Sequence, residues 1–175
     1  EFSSFGVRRW TKKKFHAKCC SVAKAIYWLA DRYGCIPDVI GMAEIENSNV
    51  LFRLLKDTAL KKTDYAFVHF DSRDRRGIDV ALLYRKSLMS PESVTRKPLV
   101  TEEGDSLDTR DILHVRMELK SSAHDIDFIV NHHPSKFGGA KESEGRRKVA
   151  MNTLKVLCDS LVDSRPDVRI IAMGD

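Results

Sequence analysis

At 175 residues, with 42% apolar and 31% charged content, the chain has the statistics of one globular domain with a sizeable core, which excludes disordered and fibrous classes. Uninterrupted apolar stretches run to only five or six residues, against the roughly 20 that span a bilayer, and no basic segment leads into an apolar core near the N-terminus. The net charge of +5 is modest, with basic residues gathered in Arg8, Arg9 and Lys12 to Lys14, in Arg73, Arg75 and Arg76, and in Arg146 to Lys148. Such clusters favour polyanions or simply coat solvated helix faces. The chain opens on Glu1-Phe2-Ser3 rather than on an initiator methionine, so compartment is not legible, and neither is oligomeric state.

Between Lys12 and Tyr33, the apolar positions Phe15, Cys19, Val22, Ala23, Ile26, Leu29 and Ala30 follow the three-four spacing of an amphipathic helix that Gly34 ends. Asp38 to Ile45 reads as a strand buried on both faces. Asn49 to Leu60 reads as a second helix with Val50, Leu51, Leu54 and Leu55 inward, capped by Asn47 or Ser48. Tyr65 to Phe70 is a short strand, Asp71 to Gly77 a charged turn, Ile78 to Tyr84 a buried strand, and Arg85 to Ser90 leads into a turn. From Asp111 to Leu119, Leu113, Val115, Met117 and Leu119 alternate with His114, Arg116 and Glu118, the pattern of an antiparallel strand with one wet face. Ile126 to Asn131 is a further strand, and His132 to Lys141 a loop with paired glycines. Ser143 to Val162 is a helix with Val149, Ala150, Leu154, Leu157, Cys158 and Leu161 inward, and Val168 to Met173 is the last strand. Early hairpins and a late strand-helix-strand crossover argue for a layered sheet-and-helix domain. The four cysteines, Cys19, Cys20, Cys35 and Cys158, show neither metal-ligand spacing nor a disulfide framework.

Three apolar runs stop abruptly in polar groups: Val39 to Ala43 before Glu44, Phe128 to Val130 before Asn131 and His132, and Ile170 to Met173 before Gly174 and Asp175. A buried strand that ends in a carboxylate or imidazole sets that group on the rim of a rigid sheet, where neighbouring strand ends can converge on one ligand. Glu44 suits a hard cation such as Mg²⁺, which needs only one or two carboxylates beside its waters and a substrate phosphate, although a rim glutamate is more often solvated. Glu46 is the weaker candidate. His132 is a candidate for proton transfer, set beside Ser135, Lys136, Gly138 and Gly139 in a loop able to approach a phosphate. Zinc is disfavoured there, since no second His, Cys or acid recurs at ligand spacing. Arg110 would fork a phosphate or pair with Asp108 or Asp111. Asp79 would orient a histidine, bind metal or pair with Arg76.

Taken in order, PDVIGMAEIEN, RRGIDVALLYR, TRDILHVRMEL, IVNHHPSKFGG and IIAMGD resemble the endonuclease/exonuclease/phosphatase superfamily with the deoxyribonuclease I-like fold, over about Trp10 to Asp175. The resemblance implies an α+β, four-layer α/β/β/α sandwich of two mixed sheets, with hydrolysis of phosphate esters helped by Mg²⁺, or Mn²⁺ in its place. It implies that Glu44 binds the metal, that His132 stabilises or protonates the phosphate in the transition state, and that Asp175 orients or deprotonates the attacking water. It also implies that Arg110 and Asn131 contact phosphate and that Asp79 helps to position the histidine; His133 has no implied role.

The chain starts after the family's first, asparagine-bearing strand and stops at Asp175, before the family's Phe-Asn and its closing Asp-His pair. The expectation is therefore a single, truncated domain holding about half of the catalytic set and impaired in turnover. Two functions follow as alternatives: a metal-dependent phosphoesterase acting on phosphodiesters, nucleic acid among them, or on phosphomonoesters; and a catalytically silent segment that binds phosphate or nucleic acid without cleaving it.

Overall fold

The computed structural model describes residues 5–7, 9–135 and 138–175; Glu1 to Ser3, Arg8 and Lys136 lie outside the described residues. Helix α1 (Lys12–Tyr33) begins where the Thr11 hydroxyl accepts from the Lys14 amide and stops at Gly34, whose φ of 75° is the left-handed turn that glycine adopts without strain. Cys19, Ala23 and Ile26 form its buried stripe, whereas Leu29 is 37% exposed. After β1 (Val39–Ile45), α2 (Ser48–Asp57) is capped by Asn47, whose side chain accepts from the Val50 amide. The helix expected to reach Leu60 instead breaks at Thr58 into a 3-10 turn (Ala59–Lys62). The Thr58 hydroxyl competes for the Leu54 carbonyl and accepts from the Leu60 amide.

Strands β2 (Tyr65–His69) and β3 (Asp79–Arg85) complete an antiparallel sheet in the order β1-β3-β2. Strands β4 (Met89–Lys97), β5 (Ile112–Leu119), β6 (Asp125–Asn131) and β7 (Ile170–Gly174) form a second sheet in chain order. Only β6 and β7 are parallel there, joined by α3 (Glu144–Ser164), the crossover that a parallel pair requires. Period-two alternation along the central strand β3 explains the stacking. Ala81 and Leu83 face α1 and α2, while Val80 and Leu82 meet Leu113, Val115, Met117, Phe128 and Val130 of the second sheet. On that sheet's outer face, Ile112 and Ile129 pack with Ala150 and Leu157 of α3. The order is helices, sheet, sheet, helix: the four-layer sandwich of the resemblance, with its first sheet antiparallel throughout.

Three local expectations are corrected. β1 is covered on both faces, by Ile40 and Met42 against the helices and Val39 against the second sheet, but as an edge strand it is only half-buried, with Ile45 alone fully buried. The segment after Arg85 is not simply a turn, because Met89 begins a nine-residue strand. That strand is polar and contains Pro91, which an edge position with a bulge between Pro91 and Ser93 tolerates. His114 does not lie on a wet face. Its Nε2 is 2.6 Å from Asp127 Oδ1, and Arg165 from the end of α3 donates to both Asp127 oxygens at 2.9 and 2.8 Å, closing over the pair.

Candidate active site

The ends of β1, β6 and β7 come to one lip of the sheet stack. In the second sheet Asn131 pairs with Gly174, and the ladder runs one step further as the His133 amide donates to the Asp175 carbonyl at 2.8 Å. A Cβ on Gly174 would overlap the Asn131 carbonyl oxygen and side-chain Oδ1, so glycine is what lets the two strand ends close together. Across the stack, a Cβ on Gly41 would overlap the Met173 side chain and lie 3.4 Å from Val130 Cγ1, so β1 rides directly on β6 and β7.

Glu44 sits where the β1–β3 register shifts between Met42 and Ile45, with a φ of 59° and an exposed carboxylate. A left-handed glutamate costs of order 1–3 kcal/mol of backbone strain, and bulges of this kind redirect a side chain at a sheet edge. His132, half-buried at the end of the neighbouring sheet, feels that carboxylate. Burial, then the Arg110 guanidinium, hold the His132 imidazole below its ordinary range, while the carboxylates of Glu44 and Asp175 both act on it in the opposite sense. Its Nδ1 is buried without a hydrogen-bond partner. Burial and then Arg110 lower His133 as well. Glu44 and Asp175 are hard carboxylates close enough to act on this ring, although they and the imidazole do not form a cluster with ligand atoms within 4.8 Å of one another; carboxylate oxygens of this kind suit Mg²⁺ or Mn²⁺.

Arg110 is 4% exposed and pairs with neither Asp108 nor Asp111. Its Nη1 donates to Asp74 Oδ2 at 3.0 Å, and its Nη2 donates to the main-chain carbonyls of His132 at 2.9 Å and His133 at 2.7 Å. Burial pushes the Asp74 carboxyl up, but the Arg110 hydrogen bond and the Arg76 amide bring it below its ordinary range. Asp108 instead takes Arg75, at 3.1 and 3.0 Å, and Asp111 lies 3.9 Å from Arg96. Asn131 is buried at the end of β6, beside Gly174.

Asp79 is buried but turned elsewhere. It accepts from the Ser72 amide at 2.9 Å and from the Ser72 hydroxyl, and its other oxygen lies 3.7 Å from His69 Nε2; Arg76 pairs with Asp74 instead. Its histidine neighbour is therefore His69, a residue the sequence reading passed over. The available signal was His69 and Asp71 two positions apart at the end of one strand, with Asp79 opening the next strand of a hairpin. Beside the His132 to Pro134 loop, an open cleft of about 610 Å³ is lined by Ser135 and by Arg75, Arg76 and Arg146, from two of the three basic clusters, together with Asp108 and Asp74, which pair with Arg75 and Arg76. No described helix is long and apolar enough to cross a membrane.

A model of the Endonuclease/Exonuclease/phosphatase family matches residues 1–175. No curated protein matches the chain. Among solved structures, the human Nocturnin catalytic domain with bound sulfate anion is 15% identical with a TM-score of 0.68, over 94% of this chain and 58% of that one. D. rerio TDP2 complexed with single strand DNA product is 19% identical with a TM-score of 0.57, over 87% and 52%. A Bacteroides thetaiotaomicron mannosyl-6-phosphatase is 12% identical with a TM-score of 0.62, over 92% and 57%. At such identities the likeness is one of fold. The chain spans 52 to 58% of the lengths of these three structures.

Proposed function

The chain belongs to the endonuclease/exonuclease/phosphatase family, and from that premise we propose that it serves the hydrolysis of phosphate esters with the help of a divalent metal, Mg²⁺ or Mn²⁺. The observation that carries this reading is that the strand ends bearing Glu44, His132 and Asp175 meet at one lip of the sheet stack, where both carboxylates act electrostatically on the His132 imidazole. Glu44 would hold the metal. When bound, that ion supplies neutralisation of charge developing on the phosphoryl oxygens. His132, uncharged at neutral pH because burial and Arg110 lower it, presents an imidazole that can donate a hydrogen bond or move a proton. Asp175 aims and deprotonates the attacking water, and Asn131 steadies the phosphate. Arg110 acts through the histidine loop, whose carbonyls it ties to Asp74. The net charge of +5 and Arg146 in the neighbouring cleft, where Arg75 and Arg76 are paired with aspartates, tilt the substrate towards polyanions such as nucleic acid.

The test is hydrolysis of a generic aryl phosphodiester by the protein, with and without Mg²⁺. His132→Ala is expected to lower the rate by roughly 10²- to 10⁴-fold, and Glu44→Gln to abolish the metal-stimulated rate. Metal-independent turnover would defeat the proposal. Phosphate or oligonucleotide binding with no cleavage at any metal concentration would support a silent binding role instead.

A further inference from the structure

The hairpin between β2 and β3 carries a cluster that the proposed phosphoesterase chemistry does not use. A ring nitrogen of His69 and carboxylate oxygens of Asp71 and Asp79 lie within 4.8 Å of one another. The side chains of His69 and Asp79 are 3% and 5% exposed, and His69 Nε2 is buried with no hydrogen-bond partner. Its 3.7 Å distance to Asp79 Oδ2 is too long for a hydrogen bond. Two ligands each about 2.1 Å from one ion lie roughly 3 to 4.2 Å apart, so the 3.7 Å between His69 and Asp79 suits a shared cation, with exposed Asp71 able to close the remaining distance by side-chain rotation.

We propose that His69, Asp71 and Asp79 form a binding site for a first-row transition metal ion of the Zn²⁺ type, separate from the strand-end site at Glu44. One imidazole with two carboxylates is a borderline donor set, suited to Zn²⁺ or Mn²⁺ and unlike the all-oxygen shell that Mg²⁺ prefers. The outer shell is in place. Ser72 donates twice to Asp79 Oδ1 and leaves Oδ2 facing His69, while Arg96 Nη1 donates to the Asp71 carbonyl at 2.8 Å and fixes the turn. Asp71 is exposed, which provides the route of entry and leaves room for water as a fourth ligand. The bound ion would tie the end of β2 to the start of β3 across the 71–79 turn. Asp74 of that turn holds Arg110 and, through it, the histidine loop.

This site stands without the phosphoesterase reading, and its test does not use activity. Calorimetric titration with Zn²⁺ alone is expected to show an event that His69→Gln and Asp79→Asn each weaken by at least about tenfold and that Glu44→Gln leaves in place. Unchanged Zn²⁺ affinity in folded His69→Gln protein would overturn the proposal. Because both inner ligands are buried and their variants can unfold, crystals of the unmodified protein soaked in Zn²⁺ give a second reading. An anomalous peak about 2.1 Å from His69 Nε2 supports the site, and soaked crystals with no peak there overturn it.

Discussion

Arg110 shows how a residue's partners decide its role. A bare sequence offers a guanidinium between two aspartates and leaves open a phosphate, Asp108 or Asp111, but the fold delivers Asp74 from a turn 36 positions away and two carbonyls of the histidine loop. Planar, forked donors can reach carboxylate and carbonyls together, which a lysine cannot. Arg110→Lys is therefore expected to destabilise the protein by about 1–3 kcal/mol, the cost of leaving buried polar partners unmatched. In the phosphodiester assay it should lower kcat with little change in KM, since the histidine moves while the phosphate contacts stay. A rise in KM at constant kcat would assign Arg110 to the phosphate instead. Glu44 is the opposite case, because its position at the end of an apolar run is plain from sequence. Its left-handed φ and the register shift beside it belong to the pairing of β1 with β3.

At the scale of elements, central strands and long helices were legible and edges were not. β3 and β6 are apolar because sheet or helix covers both faces, and α1 has the predicted bounds because its stripe, Thr11 cap and Gly34 stop agree. β4 is polar because solvent covers one side, so its pattern resembles a loop. The two glycines between the strand ends give a paired prediction. Gly174→Ala would press a methyl group onto Asn131 backbone that cannot yield, and is expected to cost about 1–3 kcal/mol or more while displacing Asp175. Gly41→Ala meets the flexible end of Met173, which can rotate away, and should cost less than about 1.5 kcal/mol. Chemical denaturation of both variants checks the order, and equal losses would contradict the close approach at Gly174.

For the whole molecule, pH couples the site to stability. His132 and His133 are held below the ordinary imidazole range in the fold, so the unfolded chain takes up their protons first as pH falls. Stability is accordingly full above the unfolded imidazole value of about 6.5 and declines as pH falls towards the folded values. Burial raises the Asp111 carboxyl and works in the opposite direction at lower pH, so a variant comparison isolates the histidines. The melting temperature is expected to drop between about pH 7.5 and pH 5.5, and to drop less in His133→Gln; identical drops would exclude His133 as a source. What the sequence by itself determined was local: helix stripes and caps, apolar strands, and the acid and imidazole closing three of those strands, all set by residues near one another in the chain. Only the tertiary structure decided that these ends share one lip, that Arg110 serves the histidine loop, that His114 is covered by Arg165, and that Asp79 faces His69. Each of those outcomes depends on which strands stack and pair, and long-range pairing leaves no periodic trace in a single sequence.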